Sequence, residues 1–119
     1  MIPDPWTRTE IDALLDGGEI DDLTLIPIAI TNLGTPDPAW SEAICLRLVS
    51  HSNPAVRGNA VLGLGHLARV ARRLESEQCQ HVIQCALSDP DPYVRGQAAS
   101  AADDVQMFLG WHVCRPTRR

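Results

Sequence analysis

A chain of 119 residues, 45% hydrophobic and 21% charged, is long enough to bury a core of its own without disulfide or metal staples, and its length fits one domain. Ten basic residues, all arginine, stand against 15 acidic ones for a net charge of −5, which argues against nucleic-acid binding through the acid-rich surface. The imbalance is local: residues 1–50 carry nine acids against Arg8 and Arg47, or −7, and residues 51–119 carry six acids against eight arginines, or +2. Such an acidic half fits a basic partner and, equally, ordinary solvated helix faces. Four cysteines without a CxxC pair, an N-terminus unlike a signal peptide and the lack of a membrane-length apolar run predict a reducing, cytoplasmic setting.

In chain order, the first helix is expected from about Pro5 to Leu15, stopped at Gly17-Gly18. A second spans about Asp21 to Asn32, with Ile20, Leu23, Ile26, Ile30 and Leu33 apolar and Pro27 expected to kink or interrupt it. The third runs from Pro38 to about Ser50, with Trp40, Ile44 and Leu48 on one stripe. The longest helix is expected over Asn53 to Leu74. On a wheel of roughly 100° per residue, Val56, Ala60, Gly63, Leu67 and Leu74 share a face, yet Val61, Leu62 and Gly65 keep the far side free of charge. A helix apolar nearly all round is buried. Its glycines Gly58, Gly63 and Gly65 each cost about 1 kcal/mol relative to alanine, so close approach of neighbouring helices must offset them. The fifth helix begins near Ser76, with Cys79, Val82, Ile83, Ala86 and Leu87 at amphipathic spacing. The sixth covers Pro92 to about Leu109. Asp4-Pro5, Asp37-Pro38, Asn53-Pro54 and Asp91-Pro92 each join a capping side chain to a residue preset for the first turn. The fold class is all-α.

An internal repeat organises the second half. Aligning Pro54 with Pro92, an offset of 38 residues, matches Val56-Arg57-Gly58 to Val94-Arg95-Gly96, Asn59 to Gln97 and Ala60 to Ala98. A helix pair at this period is the pattern of a helical solenoid. The segments DPDPYVRGQAASAA and HSNPAVRGNAVLGL resemble HEAT repeats over residues 38 to 109, although His51 stands in the first copy where Asp89 stands in the second. The expectation is a short solenoid of about six helices in three layers. It forms a single domain over residues 1–111, with capping helices in 4–33, repeat units of about 38–74 and 76–110, and a basic tail over 112–119. Val61, Leu62 and Gly65 become Ala99, Ser100 and Asp103 in the second copy, which predicts a wetted surface closing the array. Arg57 and Arg95 are expected to contact the turn of a neighbouring repeat.

Candidate chemistry is sparse. His51, His66, His81 and His112 show no HxxxH or HExxH spacing, and the GLGH glycines lie inside a helix, so neither metal, cofactor nor phosphate is expected and no catalytic set stands out. The better signal is a polar strip across the second helices: Asn59 and His66 with Arg73 nearby, continued by Gln97 and Asp104. Asp103 and Asp104 offer a compact negative charge, and Trp111, like Trp6, is a binding anchor or terminal packing. The bland reading makes His66 a core histidine paired with Asp104. The same segments resemble small bacterial HEAT-repeat immunity proteins of polymorphic toxin and contact-dependent growth inhibition systems. That resemblance implies a monomeric cytoplasmic antidote that sequesters one cationic toxin, often a basic nuclease, without binding nucleic acid or membrane. A general adaptor is the alternative, and a nucleic-acid-binding or lyase-like HEAT protein a third.

Overall fold

Local signals set most helix ends. Thr7 and Glu10 form a reciprocal capping box, with the Thr7 hydroxyl accepting from the Glu10 amide and the Glu10 carboxylate from the Thr7 amide. Helix α1 (Arg8–Gly17) therefore begins three residues later than expected, because Thr7 does the capping; the Asp4-Pro5 peptide is cis and opens no helix. The computed structural model describes residues 2–32 and 37–115. Five more helices follow in it: α2 (Ile20–Thr31), α3 (Pro38–Leu48), α4 (Pro54–Ala71), α5 (Gln78–Ala86) and α6 (Pro92–Leu109). Asp37, Asn53 and Asp91 cap α3, α4 and α6 with their side chains, each ahead of a proline at the first helical position. No strand occurs among the described residues. Leu33, Arg118 and Arg119 lie outside them.

Three helix pairs, α1/α2, α3/α4 and α5/α6, stack into a short solenoid, with α4 packed between α2 and α6. Helix α4 is the spine of two clusters. Val56 and Ala60 join Ile11, Leu23, Ile26, Ile30, Ile44 and Leu48 on one side, while Val61, Leu64 and Ala68 join Cys79, Ile83, Val94, Ala98, Ala101 and Val105 on the other. Fully burying each large aliphatic side chain contributes about 1.5–3 kcal/mol, so α4 holds the fold from both flanks. The small residues are what admit the neighbours. A Cβ built on Gly65 would stand 2.8 Å from the Ala101 Cα of α6, and one on Gly63 would stand 2.8 Å from the Cys45 sulfur and 3.4 Å from the Pro27 carbonyl of α2.

Two local expectations are corrected. Pro27 does not interrupt α2; it is buried inside the helix, and its carbonyl accepts a 2.6 Å hydrogen bond from the Thr31 hydroxyl. Helix α4 stops at Ala71 rather than Leu74, because Arg72 takes a left-handed conformation (φ 57°) with its guanidinium 4.5 Å over the Phe108 ring. The turn brings the Glu75 and Ser76 amides onto the buried Glu42 carboxylate at 2.8 and 2.9 Å. Gly110 caps α6 in the left-handed region at φ 69°; alanine there costs about 1 kcal/mol. The closing end behaves as expected, with Ser100 and Asp103 exposed. Trp6 is terminal packing: it donates to the Ala29 carbonyl at 3.2 Å and stacks on Trp40 at 5.6 Å.

Candidate functional site

The strip predicted across the second helices exists, but its polar atoms are turned inward. Asn59 is 7% exposed. Its amide nitrogen donates to the Thr24 carbonyl of α2 at 2.8 Å, and its oxygen accepts from the Tyr93 hydroxyl at 2.5 Å and from Gln97 at 3.1 Å. Gln97 also donates to the Tyr93 oxygen at 3.0 Å. One side chain thereby ties three helices together, and a buried amide already making three hydrogen bonds has little left to offer a ligand. Tyr93 was missed in sequence, although it precedes Gln97 by one helical turn. A backbone carbonyl such as that of Thr24 carries no sequence signal.

His66 belongs to the same glue. Its Nδ1 lies 3.2 Å from the Thr31 hydroxyl, whose only proton goes to the Pro27 carbonyl. The ring must therefore donate, which assigns the Nδ1–H tautomer. Burial, seconded by the Arg69 charge, holds its pKa below the ordinary 6.5. The expected pairing with Asp104 is replaced by this bond to α2. Asp104 instead lies on the α6 side of the spine, with its carboxylate 3.0 Å from where a Gly65 Cβ would sit. Burial pushes its pKa up, Arg69 opposes that shift and Asp103 adds to it.

The remaining strip residues are dispersed. Arg73 falls beyond the end of α4 and pairs with exposed Glu75 at 2.5 Å. Asp103 pairs with Arg115 at 2.5 Å. Trp111 is half-buried against the α5–α6 core, with its amide on the Val105 carbonyl. The structure thus brings together Asn59, Gln97 and, one step along, His66, but not Arg73, Asp103 or Trp111.

The turns carry a second network. Arg57 grips Asp89 through two 2.9 Å hydrogen bonds while its Nη1 donates to the His51 and Ser52 carbonyls at 3.1 Å. The Arg57 hydrogen bond holds the Asp89 carboxyl below the usual range. Asp89 also accepts from the Asp91 amide at 2.9 Å, and His51 Nδ1 accepts from the Asn53 amide at 3.0 Å. The histidine thus performs the turn-closing task of the aspartate it replaces. Arg57 reaches the neighbouring repeat as expected; among the described residues Arg95 bonds the Asp89 and Pro90 carbonyls of its own turn and reaches no neighbouring repeat.

The nine acids of residues 1–50 divide sharply. Glu10 and Asp37 cap helices, and Asp22 and Glu42 are buried. Asp4, Asp12, Asp16, Glu19 and Asp21 are exposed, and none pairs with a basic residue among those described. Asp16, Glu19 and Asp21 flank the α1–α2 turn and Asp12 lies one helical turn before Asp16, so four of the five fall within ten residues around that turn. Of the cysteines, Cys45 and Cys79 are buried; burial raises both thiols, Cys79 to about 12. Cys85 and Cys114 are exposed. Among the described residues there is no group of side chains suited to a metal ion, and no helix is long and apolar enough to cross a membrane.

A family model described as HEAT repeats matches residues 11–103. No curated protein and no solved structure matches the chain.

Proposed function

The chain belongs to the HEAT-repeat family, a scaffold for protein–protein interaction, and from that premise we propose that it receives a cationic protein partner on the acidic corner at the α1–α2 turn. The observation that carries this reading is the set of exposed carboxylates Asp12, Asp16, Glu19 and Asp21, unpaired among the described residues, set against a strip whose polar groups are consumed in holding helices together. Clustered exposed charge of one sign accelerates encounter with the opposite sign and fixes orientation. In its finer form the reading is of an inhibitor. A small rigid solenoid with a charged corner can cover the substrate-binding face of a basic toxin, nucleases being the chemistry whose own substrate is polyanionic. Binding, not catalysis, would be its work.

Its test is capture with the tagged chain from the lysate of its source, followed by co-expression. One stoichiometric, basic partner whose expression alone arrests growth, and whose arrest the chain relieves, supports the inhibitor. Several non-toxic partners would replace it with a general adaptor.

A further inference from the structure

We propose that the N-terminal end of α6 is a docking socket for a partner protein's acidic turn that carries an aromatic residue four positions after the acid. The inference stands on an internal comparison. In α4, Arg57 and Gly58 together receive the next repeat: Arg57 grips the Asp89 carboxylate with Nε and Nη2, and Gly58 seats the Tyr93 ring, whose nearest carbon lies 2.9 Å from where a Cβ would be. Asp89 and Tyr93 are four residues apart. At the 38-residue offset α6 repeats both halves of this socket as Arg95 and Gly96.

The copy is oriented as the original is. Arg57 is held by Nη1 on the carbonyls of residues 51 and 52, and Arg95 by Nη1 on those of residues 89 and 90, the same two turn positions. In Arg57 the remaining fork meets the Asp89 carboxylate. Arg95 and Gly96 are exposed, and among the described residues the Arg95 fork holds no hydrogen bond and no atom lies within 4 Å of a Gly96 Cβ. A planar guanidinium pre-set by two backbone carbonyls suits bidentate capture of a carboxylate, and a side-chain-free patch beside it suits an aromatic face.

Further along α6 a whole helix cannot follow. Where Gly65 lets α6 approach α4, the matching residue is Asp103, paired with Arg115, and Val113 is buried in the α5–α6 core with Gln80 and Gln84 bonded to the backbone of His112 and Cys114. What stays open is Arg95 and Gly96 near the start of α6, which selects a partner's turn over a stacked repeat or a second copy. This surface lies on the closing layer, apart from the acidic corner, and its charge preference is opposite.

The test is a titration of the full-length 15N-labelled chain with a synthetic peptide of residues 88–101, whose turn is the one seated on Arg57 and Gly58. The expected result is saturable shifts at the Arg95 Nε–H and the Gly96 and Ser100 amides, lost with a peptide carrying Asp89→Ala and Tyr93→Ala. Gly96→Ala, which fills the seat in an open position, should weaken binding at least about fivefold while the thermal midpoint holds or rises; Arg95→Gln should abolish it. Asp12→Asn/Asp16→Asn should leave it unchanged. Shifts centred on Gly58, binding indifferent to Gly96→Ala and Arg95→Gln, or no saturable shift up to about 5 mM peptide would overturn the proposal.

Discussion

Replacing Gly65 and Gly96 by alanine makes the same chemical change on two helices with opposite expected signs. At Gly65 the new methyl would meet the Ala101 Cα at 2.8 Å, the Asp104 carboxylate at 3.0 Å and the Ala101 Cβ at 3.1 Å. Two of these atoms move only if α6 moves, so relief means prising α6 away from α4. Overpacking of this kind costs about 1–3 kcal/mol, against a gain of about 0.5–1 kcal/mol from replacing glycine within a helix. The net expectation is a loss of about 1–2 kcal/mol. At Gly96 no atom of the described residues lies within 4 Å of the new methyl, so only the gain of about 0.5–1 kcal/mol remains. The two variants should differ by about 2 kcal/mol, or roughly 6–10 °C in Tm at this size. Urea and thermal unfolding with unchanged m-values would measure it. Shifts of the same sign, within about 0.5 kcal/mol of each other, would refute the claim that α4 and α6 touch backbone to backbone.

Asp89→Asn should cost about 2 kcal/mol by leaving the largely buried Arg57 fork without its anion. Because the native Asp89 pKa is depressed, its contribution is complete above the ordinary carboxylate pKa and lost as pH falls through the native value. Wild-type and variant urea midpoints should therefore converge in acid. Burial holds the His66 pKa below its ordinary value, so the unfolded chain takes up its proton first as pH falls below about 6.5. Stability should drop from there to the native midpoint, and His66→Gln should remove that slope; NMR of the ring should show the Nδ1–H tautomer. Cys85 and Cys114 should react with a disulfide reagent in the folded chain, whereas Cys45 and Cys79 should react only on unfolding, two fast thiols and two slow ones.

What could be read from sequence was whatever the chain writes locally or writes twice. Capping residues with proline placed the starts of α3, α4 and α6, and the glycines of α4 announced close packing because nothing else justifies three of them in one helix. The 38-residue repeat announced Arg57 as a bridge. The α4 stop escaped because no glycine marks it: Arg72 turns left-handed through tertiary contacts with Phe108 and through the demand of Glu42 for the amides beyond. The strip was found by register, yet register cannot tell a polar side chain facing a ligand from one facing Thr24 or Thr31. Arg73 falls on the strip only if the helix is prolonged past its true end at Ala71.

The most direct test of the functional account is association kinetics with the captured partner at low and high salt, comparing the wild-type chain with Asp12→Asn/Asp16→Asn/Glu19→Gln/Asp21→Asn. The account predicts an on-rate reduced at least about tenfold at low ionic strength, with the difference shrinking as salt rises. Equal on-rates at both salt concentrations would contradict a binding surface at the acidic corner.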